Sequence, residues 1–212
     1  MLLVVGGEKG GSGKSTIAQN LAVWLALKGY DVLLLDADPQ LTTRDWAAER
    51  QKNEQLAALS FEQATGDLRK ILIDRMQRYQ MIVVDAGGAD SLALRSGMAV
   101  ATHLLLPFRP KRRDLKTLPN LDRMVAIART TNPALTARTV ITQCPSLPSQ
   151  VGRILDAKEA CRSFGLEPLD AITIQRNVYD DCDENGQSVF EIKERDAKAV
   201  EEIEAIAMEL WS

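Results

Sequence analysis

The sequence is short of the residues that mark several protein classes. Of its 212 residues only three are cysteines, Cys144, Cys161 and Cys182, and no two form a CxxC pair. This odd, scattered set excludes a disulfide framework and a cysteine-based metal site, and it suits a reducing, cytoplasmic compartment. The single histidine, His103, starts an apolar run and reads as structural. Aromatic residues make up 5% of the chain, and Trp24, Trp46 and Trp211 fall at helical positions, better suited to core or interface than to base stacking. No apolar run approaches the roughly 20 residues of a membrane span. The apolar start Met1–Val5 is cut off by glycines too early to be a signal peptide. Repeats, low-complexity tracts and long linkers are also missing, so residues 1–212 are expected to form one domain.

What the chain does have is an ordinary globular composition, 45% hydrophobic and 26% charged. Its net charge of −3 gives no hint of nucleic-acid binding. That total hides a gradient. Residues 109–176 hold 12 basic and 6 acidic residues, net +6, whereas residues 177–212 hold 3 and 11, net −8.

Short aliphatic runs alternate with longer helical stretches. Strands are expected at Leu2–Val5, Val32–Leu35, Met81–Val84, His103–Leu106 (stopped by Pro107), Thr139–Thr142 and Ala171–Ile174. Helices are expected at Lys14–Lys28, Leu68–Arg78, Ser91–Ala101 (with Asp90 as its N-cap), Leu115–Arg129, Val151–Ser163 and Glu194–Trp211. The polar stretch Asp180–Ser188 reads as a surface loop. Strands apolar throughout are covered on both faces, and strand–helix alternation implies a mostly parallel twisted sheet with helices on both sides, an α/β fold.

The strongest local signal is Gly6-Gly7-Glu8-Lys9-Gly10-Gly11-Ser12-Gly13-Lys14-Ser15-Thr16, between the first strand and the first helix. Glycines let successive backbone N–H groups turn toward phosphate oxygens, and the helix N-terminus adds partial positive charge. Lys14 is placed to reach the β- and γ-phosphates of a nucleotide, and Ser15 to ligate Mg²⁺. Glu8 stands where the standard loop has its first glycine, and Lys9 adds a second lysine at the front. Asp36 and Asp38, spaced by two just beyond the second strand, share one side of an extended segment before Pro39. Asp85 ends the third apolar run.

These residues carry a resemblance to the ParA/MinD group of deviant Walker A ATPases, and within it to the small ParF-like ParA partition ATPases. They are Lys9–Thr16, Asp36-Ala37-Asp38-Pro39-Gln40, Ile82-Val83-Val84-Asp85, the run Ala171–Tyr179, and Ser188-Val189-Phe190-Glu191. The resemblance spans essentially the whole chain and implies a single-domain P-loop NTPase fold. It implies that Lys9 to Thr16 (with Gly10, Gly11, Ser12 and Gly13) cradle ATP. It further implies that Asp36 supports the Mg²⁺ shell through water, that Asp38 positions the attacking water, and that Asp85 is the Walker B acid, holding an Mg²⁺-bound water. Lys9 is implied to act in trans, across an ATP-sandwich homodimer. Many family members read Asp-x-Pro-Pro after the Walker B acid; Asp85-Ala86-Gly87-Gly88-Ala89-Asp90 departs from this toward the glycine-rich ParF-like form. The strand-end stretches Thr142-Gln143-Cys144 and Ile174-Gln175-Arg176 are implied to approach adenine, and Pro107–Pro110 to lie near the base and an assembly surface.

The implied function is a slow, partner-stimulated ATP hydrolase that drives plasmid or chromosome partition. Its implied partners are a ParB-like centromere-binding protein, non-specific DNA and higher-order assemblies of the ATP form; its implied location is the nucleoid. Basic residues after the fourth strand, Lys111, Arg112 and Arg113 foremost, are candidates to track DNA phosphates. The loop begins almost at Met1, so no N-terminal helix-turn-helix and no operator binding are expected. Two alternatives share the ATPase residues: positioning of a protein cargo such as a carboxysome or chemotaxis cluster, and MinD-like membrane cycling. The last disagrees with the acidic polar face of residues 201–212, which anionic lipid would repel. A small-molecule synthetase would need a second constellation that is not found, and a nitrogenase-reductase-like carrier would need interface cysteines that these three do not match.

Overall fold

The computed structural model describes residues 1–88 and 91–211. Its elements are, in chain order, β1 (Leu2–Val5), α1 (Lys14–Leu27), β2 (Val32–Ala37), α2 (Thr42–Arg50), β3 (Ser60–Gln63), α3 (Arg69–Arg75), β4 (Met81–Ala86), α4 (Leu92–Met98), β5 (His103–Phe108), α5 (Arg112–Leu115), α6 (Leu118–Thr131), β6 (Thr136–Cys144), α7 (Val151–Ser163), β7 (Glu167–Ile174), α8 (Asn177–Glu184) and α9 (Ala197–Leu210). The seven strands form one sheet in the order β3-β2-β4-β1-β5-β6-β7. Every pairing is parallel.

Alternation along each strand sends neighbouring residues to opposite faces, so an all-apolar strand feeds two cores at once. Leu2, Val4, Leu33, Leu35, Ile82, Val84, Leu104 and Leu106 pack on one face with α3, α4, α6 and α7. Leu3, Val5, Leu34, Val83 and Leu105 pack on the other with α1, α2, α8 and α9. The single domain is therefore a parallel sheet flanked by helices, as the alternation of runs implies. Trp46 is buried in the second core. Trp24 and Trp211 stack on each other, with ring centroids 5.7 Å apart.

Several boundaries differ from the sequence reading. β5 runs on through Pro107 to Phe108. Its register with β1 ends at Leu105, so the missing N–H of Pro107 lies beyond the point where β1 leaves the ladder. β2 extends to Ala37 and puts Asp36 inside the strand, not beyond it. The expected helix at Leu115–Arg129 is α6, which begins at Leu118 with Pro119 in its first turn, and a separate short helix, α5, ends at Leu115. Asp180–Ser188 is not a surface loop: α8 covers it to Glu184, and Cys182 and Ser188 are buried. The polar composition of that stretch concealed a helix with one buried face. α2 and β3 were not anticipated, because neither carries a long apolar run. The proposed cap Asp90 lies outside the described residues; the side chain that caps α4 is Ser91, which accepts from the Leu94 amide.

Candidate active site

The phosphate loop, Asp36, Asp38 and Asp85 lie at the C-terminal edge of the sheet, where α/β folds place their ligands. The phosphate loop leaves β1 and enters α1, which begins at Gly13 with no capping side chain and no acidic residue in its first turn. The outer side of the loop is held by its carbonyls. Thr142 Oγ1 donates to the Ser12 carbonyl (2.7 Å), Gln143 Nε2 to that of Gly11 (3.0 Å), and Lys14 Nζ to that of Lys9 (2.9 Å). Glu8 accepts from Asn120 of α6, tying the loop to the neighbouring helix. Arg109 is ion-paired to the buried Asp114 (2.6 Å) and lies beside Gly10 and Gly11.

A cleft of about 580 Å³ opens over the loop. Gly10, Gly11, Gly13, Lys14, Ser15, Thr16, Asp38, Pro39 and Gly88 are among its walls. A smaller concavity, about 130 Å³, shares Gly13, Thr16 and Gln143 with it and is closed by Thr142, Ile174, Gln175, Arg176 and Tyr179. The two form one groove with a phosphate end and a smaller, more enclosed end. Of the residues expected near a base, Thr142, Gln143, Ile174, Gln175 and Arg176 line this groove; Cys144 turns into the core, and Pro107–Pro110 do not line it, Phe108 lying in the core and Pro110 at another concavity. The Lys9 and Ser12 side chains do not line the groove. Burial pushes the Cys144 and Cys182 thiols up to about 12, so neither is a nucleophile at neutral pH.

Behind Lys14 lie two carboxylates. The β2–β4 register sets Asp36 directly opposite Asp85, and both are fully buried. Both oxygens of Asp36 have a backbone partner: its Oδ1 accepts from the Asp38 amide (2.9 Å) and its Oδ2 from the Arg44 amide (2.8 Å). Asp85 accepts from the Thr43 hydroxyl at Oδ2 (2.7 Å), while its buried Oδ1 has no partner. Burial pushes Asp85 up to about 6, against the bonds from Thr43 and Ser15. Burial raises Asp36 as well, and draws the Lys14 ammonium below its ordinary range although Asp85 and Asp38 pull the other way. Asp38 stands forward in the cleft, with Oδ1 fixed by the Gln40 amide (2.9 Å). Thr43 was missed by sequence reasoning; a threonine five residues past Asp38 announces nothing until β2 and β4 are paired.

Among the described residues, no cluster of three or more His, Cys, Asp or Glu is spaced to hold a metal. Mg²⁺ does not require one, since it keeps several waters and shares phosphate oxygens. One hydroxyl, Ser15, and the orphaned Oδ1 of Asp85 fit that mode of binding.

The basic segment is divided by the fold. Lys158 pairs with Asp170, and Arg162 with Glu159 and Glu167. Lys111, Arg112 and Arg113 are exposed around the start of α5. Lys111, Arg112 and Arg153 share a concavity with Pro110 and Leu115. Among the described residues no helix is long and apolar enough to cross a membrane.

Comparison with known proteins agrees with this geometry. The protein ParA of Rhizobium radiobacter is 26% identical over 99% of this chain and 96% of its own length. The maintenance of carboxysome distribution protein A of Gloeobacter kilaueensis is 32% identical over 91% of this chain and 85% of its own. The ATP complex of a Cyanothece McdA variant superposes with a TM-score of 0.75 at 15% identity, covering 100% of this chain and 97% of that one. The nucleotide binding domain that CobQ, CobB, MinD and ParA share matches residues 3–205, nearly the whole sheet and the entire groove. A parallel P-loop sheet with this loop at its edge therefore has its place: the chain belongs to the CobQ/CobB/MinD/ParA nucleotide-binding family.

Proposed function

We propose that the chain is a Mg²⁺-dependent ATPase of the ParA type that forms an ATP-sandwich dimer, binds DNA non-specifically and partitions a plasmid or chromosome with a ParB-like centromere-binding partner. The observation that carries this reading is the convergence of the glycine loop, Lys14, Ser15 and Asp38 on one groove, backed by the buried pair Asp36 and Asp85. Phosphoryl transfer needs positioning and charge neutralisation more than covalent chemistry. Lys9 to Thr16 cradle the triphosphate, and Lys14 neutralises its terminal oxygens. Ser15 and Asp85 would hold Mg²⁺, with Asp36 bracing the neighbouring backbone; the ion supplies further charge neutralisation at the phosphates. Asp38 orients the attacking water. Lys9, whose side chain does not line its own cleft, reaches the nucleotide of the partner subunit.

Lys14→Ala is expected to weaken ATP binding at least 100-fold, because a phosphate charge then lacks its counter-ion in a buried setting. Asp38→Ala is expected to keep the ATP-dependent dimer and lose hydrolysis. Sizing chromatography with ATP checks this, and a monomeric Asp38→Ala would sink the sandwich. The role itself is tested by ATPase assays with and without DNA and the product of the adjacent gene.

A second reading keeps the ATPase and changes the cargo to a protein assembly, as the Gloeobacter relative's name suggests. A neighbouring gene for a small centromere-binding protein would favour the first. Membrane cycling has less support: Glu202 and Glu209 of α9 are engaged with β7 and Arg176, and liposome pelleting is expected to leave the chain in solution.

A further inference from the structure

Thr43 stands at the centre of a buried hydrogen-bonded chain that starts at Asp85 and leads away from the groove. Its Oγ1 donates to Asp85 Oδ2 (2.7 Å) and accepts from Gln19 Nε2 (3.2 Å). Thr43, Gln19 and Asp85 are all fully or almost fully buried, so water does not compete for these contacts.

The polarity of the chain follows from its members. A carboxylate only accepts, so the bond to Asp85 takes the Thr43 proton, and the Thr43 oxygen is left to face the Gln19 nitrogen. A hydroxyl has one proton. With its oxygen occupied by the Gln19 N–H, that proton points at Asp85 Oδ2. One carboxylate oxygen is thereby committed, and the other, Oδ1, is left buried without a partner. The Ser15 hydroxyl approaches the same carboxylate. Gln19 follows Ser15 by four residues, on the same face of α1. A carboxylate hydrogen-bonded at one oxygen is restrained in its rotation, which narrows the orientation of the other oxygen.

We propose that Thr43, oriented by Gln19, is a positioning residue that fixes the rotation of the Asp85 carboxylate so that Oδ1 is preset toward the Mg²⁺ of the nucleotide complex. This rests on the ATPase reading above and assigns Thr43 a role that no loop motif announces. Groups that orient a metal's ligands typically contribute about 10- to 100-fold in metal affinity or activity.

The test is a Mg²⁺ titration of a bound fluorescent ATP analogue, read by fluorescence and started in EDTA. Thr43→Val keeps the shape and removes the hydroxyl. Its Mg²⁺ midpoint is expected to rise about tenfold, with affinity for the analogue in EDTA within about twofold of the native chain's. Thr43→Ser restores the hydroxyl and is expected to return the midpoint to within about threefold. Gln19→Met removes the orienting donor and covers the case in which the valine variant fails to fold; a rise of at least about threefold is expected. A valine or, failing that, methionine variant with a native midpoint overturns the proposal. So does a serine variant as impaired as the valine one, which would mark a packing role. If the native chain itself binds the analogue with no response to Mg²⁺, the ATPase reading falls and this proposal with it.

Discussion

Asp38 is confined by its neighbours as much as by its own backbone. A Cβ on Gly87 would lie 2.8 Å from Pro39 Cδ and 3.1 Å from Asp38 Cγ, a distance that forces one of them to move. Gly87 follows Asp85 by two residues, so the loop leaving β4 presses on the residue proposed to aim the water. Gly87→Ala is expected to lower ATP hydrolysis at least about tenfold, since small displacements of positioning groups cost rate heavily. Analogue binding should change far less; equal losses of binding and turnover would count against the idea. The loop residues and the two aspartates of Asp36-x-Asp38 were legible in the sequence because backbone curvature and phosphate chemistry demand those types at that spacing. Thr43, Gln19 and the Gly87 contact were not. Each depends on the lateral pairing of β2 with β4, and a linear pattern contains no record of which strand lies beside which.

α2 shows how an element with little apolar signal is held by its two ends. At the N-terminus its Arg44 amide bonds Asp36 and its Thr43 hydroxyl bonds Asp85. At the C-terminus Arg50, buried against Trp46, pairs with Glu191 (2.6 Å), and the same carboxylate accepts from the Ala57 amide and the Ser188 hydroxyl. The stretch Ser188–Glu191 stood out in the sequence as a family feature, and its physical purpose is this clamp. Glu191→Ala strands a buried guanidinium and is expected to cost about 3–5 kcal/mol in urea unfolding. Burial works to raise the Glu191 carboxyl, but the Arg50 bonds outweigh it and hold it below the usual glutamate range. A carboxyl depressed on folding contributes stability at neutral pH and loses it as pH falls through its folded value. Unfolding midpoints should therefore drop below about pH 4, and less so in Glu191→Ala; a parallel pH profile for the two would contradict the clamp. Gly186 is also part of it: at φ 63 a Cβ there would lie 2.2 Å from the Arg50 amide nitrogen, so Gly186→Ala is expected to destabilise the chain severely.

Across the whole molecule the charge gradient acquires a shape. Lys158, Arg162 and Arg176 are neutralised in place, and Arg109 serves the loop rather than the surface. What remains concentrated is the group of Lys111, Arg112 and Arg153 around one concavity. Changing all three to alanine is expected to weaken ATP-dependent DNA retention uniformly across sequences and to reduce the slope of log affinity against log salt by up to about 3. Retention that is insensitive to salt in the native chain would defeat the DNA reading. The sheet order has a consequence for biosynthesis. β1 is made before the other six strands of the sheet, yet its neighbours are β4 and β5, and the Leu2 amide waits for Thr102, 100 residues on. Domains generally fold as units during synthesis. The nascent phosphate loop therefore lacks its sheet neighbours until β5 has emerged, and lacks the side chains that hold its carbonyls until Thr142 and Gln143 follow.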